Sequence, residues 1–393
     1  MTKTQKNPLV TVAVLVYKNT QYLGDCLDSI FEQKYDNIQL IVSDDGSPEF
    51  SCDVIDEMIR RADAKNIKAF YVHKMESNEG TSKNFNYVLS LAEGTYIKYI
   101  AADDLFYDQY SLGHLVAAAE EDSGNVVIAR AANYDIYLNR HEWIYPSDEN
   151  WLKMKAGATN PRYFFGLMSQ YCLISAPSTL FRTDFLRKHG GADERYPLIE
   201  DWPLWMKILR TGEMFTFLDR SVVIYRSGGV SNGKTNEKFA VHQIEYADVI
   251  RNECLSHPEA MASRTQYKNA VRSERIHRCR GELLLAKEFK TKIVIGFRYL
   301  DVIAVTALNR LSTLLKQTQS YKRRLILFGI MTYALFSITD VGIILGDHMA
   351  VGEWLRTIGL VLGGVSMIVG FLLYLVAFLA HICGAIERKE KEL

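Results

Sequence analysis

Residues 96–105 have the sequence YIKYIAADDL, an apolar run that ends on two adjacent carboxylates, Asp103 and Asp104. Unpaired charge is costly inside a buried strand, whereas ligands bind at the carboxyl ends of strands in open α/β sheets. Two carboxylates at such an end suit a divalent cation that holds a phosphorylated ligand. The alternative is a helix cap, with Asp104 as the N-cap of a helix near residues 107–120. The flanking sequence has to decide between these two interpretations.

The preceding hundred residues alternate between apolar runs and helical patterns. Residues 9–17, LVTVAVLVY, have no polar alternation, which is typical of a parallel strand covered on both faces. Residues 22–31 have apolar side chains at helical spacing, and residues 38–42 and 67–72 are further short apolar runs. This alternation with short loops predicts an α/β fold with a doubly wound sheet.

A second acidic pair, Asp44 and Asp45, follows the second predicted strand, so both pairs should lie at the same edge of the sheet. Helix capping explains this coincidence poorly. Asp44 and Asp45 could accept hydrogen bonds from a nucleotide base and ribose, and Asp103 could hold Mg²⁺ or Mn²⁺ between two phosphates. Lys83 begins another helix, where a cation opposes the helix dipole unless it reaches an anionic ligand. The alternative for Lys83 is a solvated surface lysine.

A third acidic site is Glu200-Asp201, which opens the helical pattern WPLWMKILR at residues 202–210. Capping alone would explain an acid there. Desolvation beside the apolar tryptophans would also raise the pKa of Asp201 and make it a candidate general base. The sequence has no GxxxxGK[ST] stretch, so P-loop phosphate binding is not predicted.

The C-terminal part differs from the rest in charge and hydropathy. Residues 260–324 contain 15 Lys and Arg against 4 Asp and Glu, although the whole chain has a formal net charge of zero. We expect residues 236–322 to be a basic, amphipathic helical region beside a membrane, with an interfacial helix within 293–315. The alternative for that helix is ordinary soluble packing.

Two long apolar runs follow, at about 325–345 and 357–380. Each is long enough to cross the ~30 Å hydrocarbon layer, which needs about 20 residues. Lys and Arg flank the outer ends of both runs, so the positive-inside rule predicts a transmembrane hairpin, residues 323–393, with its tail in the cytoplasm. The six cysteines show no metal-ligand spacing and residues 1–8 no signal peptide, both expected of a cytoplasmic catalytic domain on the inner (plasma) membrane.

Five motifs occur in order: VTVAVLVY, IQLIVSDDGS, NEGTSKN, AEGTYIKYIAADD and IEDWPLWMKILRTG. Together they resemble the inverting glycosyltransferases of the GT-A fold, over roughly residues 8–230. The resemblance implies that Leu15, Val16, Tyr17 and Asp45 hold the nucleotide base. It also implies that Lys83 lies near the phosphates, that Asp103 is the metal ligand, and that Asp201 deprotonates the acceptor hydroxyl.

The chain departs from this family in two places. The metal motif of the family usually has an acid where Ala101 stands, which leaves Asp103 as the single protein ligand. Mg²⁺ often keeps several waters, so one carboxylate can still suffice. The Gln-x-x-Arg-Trp signature of processive synthases is also absent, and Tyr225-Arg226-Ser227 occupies that region. We therefore expect one sugar to be transferred per encounter.

The sequence thus predicts a GT-A domain at residues 1–235, the helical region and the membrane hairpin. The predicted function is a metal-dependent, inverting hexosyltransferase that moves a sugar from a nucleotide-diphosphate donor, UDP-linked above all, to a hydroxyl of a lipid-linked saccharide in polysaccharide biosynthesis. One alternative is transfer to polyprenyl phosphate itself, and another is a non-catalytic membrane partner, as Ala101 would suggest. No nucleic-acid partner is expected, and the helical and membrane regions offer surfaces for an oligomer.

Overall fold

The computed structural model describes residues 7–135, 137–227 and 237–303. Within these ranges nine strands form one sheet: β1 (Val10–Val16), β2 (Ile38–Asp44), β3 (Ile67–Lys74), β4 (Tyr96–Ala101), β5 (Leu105–Phe106), β6 (Val126–Tyr134), β7 (Arg140–Tyr145), β8 (Thr179–Arg182) and β9 (Thr216–Arg226). The α-helices of these ranges are α1 (Leu23–Phe31), α2 (Cys52–Ala62), α3 (Thr81–Leu91), α4 (Ser111–Glu121), α5 (Asp148–Gly157), α6 (Pro161–Met168), α7 (Thr183–Lys188), α8 (Trp202–Arg210), α9 (Glu237–Val249), α10 (Arg264–Leu285) and α11 (Phe289–Arg298).

The first four long strands are parallel and lie in the order β3-β2-β1-β4. Leu15 of β1 lies opposite Ser43 of β2 and Ala101 of β4. The three strands therefore end at the same edge of the sheet, as the sequence predicted. This register brings the residues that follow each strand close to one another.

Both faces of β1 are covered by apolar layers. Val10, Val12 and Val14 are fully buried in the core on one face of the sheet, and Ala13 belongs to the core on the other face. A strand that buries both faces has no use for polar alternation, which explains the continuous apolar run.

The second half of the sheet is mixed. β8 pairs antiparallel with β4 and β6, whereas β9 runs parallel to β6. The two-residue strand β5 pairs antiparallel with β9, Leu105 lying opposite Ile224. This pairing sets the end of β9 beside the Asp103-Asp104 loop.

The chain divides into two compact units, Met1–Glu274 and Arg275–Leu393. The first unit extends beyond residue 235, where the sequence predicted the end of the catalytic domain. It includes α9 and the π-helical turn Ile250–Leu255, because α9 buries Ala240, Ala247 and Val249.

In the second unit, the described residues are 275–303. Cys279, Leu283 and Ile295 form part of a small apolar cluster there. The other side of α11 and the residues that follow it expose Val294, Phe297 and Leu300, with Phe297 75% exposed.

Among residues 7–135, 137–227 and 237–303, no helix is long and apolar enough to span a bilayer. Both predicted spans, at about 325–345 and 357–380, lie outside the described residues, as does the part of the predicted interfacial helix beyond residue 303.

Candidate active site

A cleft of about 850 Å³ opens at the carboxyl ends of β1, β2 and β4. Its lining includes acids from all three of the groups that the sequence singled out, namely Asp45, Asp103 and Asp201. The predicted site residues that line it are Leu15, Val16, Tyr17, Asp45, Asp103 and Asp201. Asp44 and Lys83 are not among its lining residues.

Asp45 orders the loop that precedes α3. Its carboxylate accepts hydrogen bonds from the backbone N–H of Glu79 at 2.7 Å and of Gly80 at 3.0 Å. Burial raises the pKa of Asp45, and these two N–H groups oppose that shift. A Cβ at Gly80 would lie 2.9 Å from the carbonyl oxygen of Pro197, so only glycine lets this loop approach the segment that leads to Asp201.

Asp44 has a different position from the one predicted. Its side chain is fully buried, and Oδ2 accepts a hydrogen bond from the Ser47 N–H at 2.7 Å. The prediction that Asp44 contacts a base or ribose finds no support here, because its carboxylate closes the turn after β2 and does not face the cleft.

Lys83 does not line the cleft either. Its Nζ lies 2.6 Å from a carboxylate oxygen of Glu79, one helical turn earlier, and its side chain is 49% exposed. The geometry therefore matches the surface-lysine alternative, with the charge of Lys83 already compensated by Glu79.

Asp103 and Asp104 have separate environments. Asp103 lines the cleft and accepts a hydrogen bond from Asn19 Nδ2 at 3.0 Å, while burial raises its pKa. Asp104 is 2% exposed, accepts a hydrogen bond from the Arg226 N–H at 3.1 Å, and has a pKa raised well above its usual range by burial. Asp104 is not a helix cap, because α4 begins only at Ser111.

Arg226, at the end of β9, holds this loop in place. Its Nε donates to the carbonyl oxygen of Asp103 at 3.0 Å, and its guanidinium lies 2.8 Å from Asp25 and over the Tyr22 ring. The backbone at Asp103 is thus held by a residue 123 positions later in the chain.

Asp201 is the N-cap of α8 and also faces the cleft. Oδ1 accepts the Trp202 N–H at 2.6 Å, and Oδ2 lies 3.8 Å from the Cys172 thiol. Burial raises the pKa of Asp201, and burial together with the Asp201 charge raises that of Glu200 to about 8. Both predicted roles of Asp201, cap and candidate base, are therefore compatible with its position.

One wall of the cleft comes from α9, which the sequence assigned to another domain. Lys238, His242 and Tyr246 recur every four residues and all line the cleft. Lys238 Nζ lies 4.8 Å from the centre of the Tyr17 ring, and the His242 ring packs edge-on against Tyr246. His242 is 5% exposed, burial lowers its pKa to about 4, and its Nδ1 has no hydrogen-bond partner among the described residues.

The metal-ligand prediction rests on Asp103 alone. The described part of the chain contains no cluster of three or more His, Cys, Asp or Glu side chains arranged to hold a metal ion. Oδ1 of Asp103 accepts a hydrogen bond from Asn19 Nδ2, and the hydrogen bonds of the described residues include no second side-chain donor to this carboxylate. One carboxylate oxygen in a cleft of this size fits a cation that takes its other ligands from water and a diphosphate.

Comparison with known proteins shows what residues 11–189 and their surroundings are similar to. Residues 11–189 match the model of Glycosyl transferase family 2. An uncharacterized glycosyltransferase of Rickettsia typhi is 26% identical over 62% of this chain and 70% of its own length. Glycosyltransferase GlyG of Streptococcus pneumoniae is 30% identical over 32% of this chain and 40% of its own. Residues 11–189 are therefore similar to Glycosyl transferase family 2, and the predicted α/β fold is confirmed by the sheet described above.

Among solved structures, Staphylococcus aureus TarS aligns with a TM-score of 0.46 and 17% identity, covering 80% of this chain and 93% of the TarS chain.

Proposed function

From the similarity of residues 11–189 to Glycosyl transferase family 2, we propose that this chain is a membrane-anchored, inverting glycosyltransferase. It transfers one sugar per encounter from a UDP-sugar to a hydroxyl of a lipid-linked saccharide, at the cytoplasmic face of the inner membrane. The observation that supports this proposal best is that Asp45, Asp103 and Asp201 line one cleft.

The reaction needs a base at the acceptor end. The acceptor oxygen forms a bond to C1 of the sugar, the bond from C1 to the diphosphate oxygen breaks, and the hydroxyl proton passes to Asp201. Because attack comes from the side opposite the leaving group, the configuration at C1 inverts. Burial raises the pKa of Glu200 to about 8, so Glu200 keeps its proton at neutral pH, and Asp201 is the member of the pair that is assigned to accept the hydroxyl proton.

The donor end needs positive charge for the diphosphate. Lys238 lines the cleft beside Tyr17, has no ion pair with any described residue, and is the candidate cation in place of Lys83. Asp103 would hold Mg²⁺ or Mn²⁺, which when bound neutralises part of the diphosphate charge. Asp45 and residues 15–17 would then contact the nucleotide base.

The residues on and just after α11, in the second unit, support the proposed attachment to a membrane. Val294, Phe297 and Leu300 are exposed along α11 and just beyond it, and Lys290, Lys292 and Arg298 belong to the same helix. An apolar row beside basic side chains is typical of a helix that lies on an anionic bilayer. A transferase held at such a surface would meet acceptors that are themselves anchored by lipid.

Replacement of Asp201 by Asn tests the proposed base. Asn is as good an N-cap as Asp, so α8 and the fold should persist. We expect UDP binding to be retained and sugar transfer to fall by about 10²–10⁴-fold, the usual contribution of a general base. Binding is measured by calorimetry and transfer by UDP release. Transfer within a few-fold of the wild type would rule out Asp201 as the base and would favour a phosphate acceptor, which needs no deprotonation.

A further inference from the structure

The wall of the cleft beside Asp201 is aromatic, and one of its members is exposed. Trp143 of β7 lines the cleft and is 51% exposed, whereas the other tryptophans of the described residues, Trp151, Trp202 and Trp205, are at most 1% exposed. We propose that Trp143, with Tyr145 and Tyr246, forms a subsite that binds a saccharide ring of the acceptor. This inference rests on the proposed function and names the class of acceptor.

The subsite is continuous with the proposed base. Trp143 and Tyr145 are two residues apart on one strand, so their side chains point to the same face of the sheet. The Tyr145 hydroxyl donates to the carbonyl oxygen of Cys172, and the Cys172 thiol lies 3.8 Å from Asp201 Oδ2. A ring that stacks on Trp143 therefore lies along the same wall as the group that accepts the hydroxyl proton.

Tyr246 bounds the subsite from the α9 side. Its ring packs edge-on against Trp202, the first residue of α8, with ring centres 5.3 Å apart. Burial raises the pKa of both Tyr145 and Tyr246, so their hydroxyls stay neutral. Flat aromatic faces with neutral hydroxyls suit a sugar ring, which has an apolar C–H face and a rim of hydroxyl groups.

The distribution of charge disfavours a phosphate in this position. The Lys and Arg side chains that line the described part of the cleft are Lys18, Arg226 and Lys238. Lys18 and Lys238 both lie over the ring of Tyr17, and Arg226 donates to the Asp103 carbonyl oxygen, so all three contact residues that are assigned to the donor. Asp201 has to be ionised to act as the base, and its carboxylate would then repel an anionic acceptor.

The test compares two classes of acceptor in the full-length protein. The UDP-sugar that the wild type hydrolyses fastest serves as donor. Methyl glycosides of glucose, galactose, mannose and N-acetylglucosamine are supplied as one set of acceptors, and a polyprenyl phosphate in detergent as the other. UDP release is measured with each acceptor, and donor hydrolysis is measured without any.

We expect a glycoside to stimulate UDP release, and Trp143→Ala to raise its KM by about tenfold. Donor KM and acceptor-free hydrolysis should stay unchanged, and Trp143→Phe should recover most of the affinity because it keeps a flat ring. The matched control is Tyr137→Ala, in the same hairpin, which is 79% exposed and does not line the cleft.

Three results would overturn the inference while leaving a glycosyltransferase in place: stimulation by polyprenyl phosphate alone, a glycoside KM that Trp143→Ala leaves unchanged, or hydrolysis of the donor with no glycoside effective. A wild-type protein that neither binds UDP nor hydrolyses any donor would overturn the proposed function as well.

Discussion

Two lysines, Lys83 and Lys238, are alternative candidates for the cation that binds the diphosphate. The sequence pointed to Lys83, whereas in the structure Lys83 pairs with Glu79 and Lys238 lines the cleft. Replacement of each lysine by Met removes the charge and keeps most of the apolar stem. The two variants therefore separate the two interpretations within one protein.

The magnitude follows from the environment of Lys238. A hydrogen bond to a charged group contributes about 1.5–3 kcal/mol, and the lower value applies here because Lys238 is exposed to solvent. About 1.4 kcal/mol corresponds to a tenfold change in affinity. We therefore expect Lys238→Met to weaken UDP binding about tenfold, with a larger effect at low ionic strength because salt screens exposed charges.

Isothermal calorimetry with UDP and with uridine measures this effect. Uridine has no phosphate, so its affinity should be the same in the wild type and in Lys238→Met. Lys83→Met is the matched control and should bind UDP like the wild type. If Lys83→Met weakened UDP binding and Lys238→Met did not, α9 would be excluded from the donor site and the sequence interpretation would be correct.

Two further predictions concern the acidic pair and the membrane. Glu200 in the folded protein keeps its proton up to about pH 8, whereas in the unfolded chain an ordinary Glu loses it near pH 4.3, so unfolding releases a proton in this window and stability falls as pH rises. The Tm of Glu200→Gln should therefore be higher than that of the wild type by at least about 2 °C at pH 8, and the two Tm values should be equal near pH 4. An equal difference in Tm at both pH values would contradict this prediction. The full-length chain should stay in the membrane pellet after washes in high salt and then alkali, because apolar spans do not depend on charge; release by salt alone would mean that the predicted spans at 325–345 and 357–380 are wrong and that attachment is electrostatic.

The parallel half of the sheet was predictable because its signals are local. Apolar runs without polar alternation indicate strands covered on both faces, and Asp45 and Asp103 follow two such runs. Parallel register then brings the strand ends to one edge, so the cleft itself followed from the sequence.

The direction of individual side chains was harder to predict. Asp44 and Asp45 are adjacent, and successive residues of an extended segment face opposite ways, so only one of them could face the cleft. Lys83 had a visible signal, because Glu79 lies four residues earlier and Glu before Lys at this spacing is the favoured helical pair. That local pair was the better guide to Lys83.

The positions of α9 and Arg226 beside the cleft depend on contacts between residues far apart in the chain, and the sequence pattern does not predict such contacts. The spacing of Lys238, His242 and Tyr246 indicates one face of a helix, but nothing local to α9 shows that this face meets Tyr17 and the Asp201 region. The same applies to Arg226, whose partners Asp25 and Asp103 lie more than 120 residues earlier.

Ala101 and Lys238 both line the cleft, and both affect the balance of charge around a bound diphosphate. Burial already raises the pKa of Asp103 and Asp104, so a third carboxylate at position 101 would add repulsion that only a firmly bound cation could offset. With Ala101 there, a metal would have fewer protein ligands, and in the proposed function Lys238 would supply part of the positive charge from α9. We therefore expect UDP binding to persist, more weakly, in a metal chelator and to depend there more strongly on Lys238, which the same calorimetry measures. Loss of all binding on chelation would show instead that Asp103 and its cation bind the diphosphate alone.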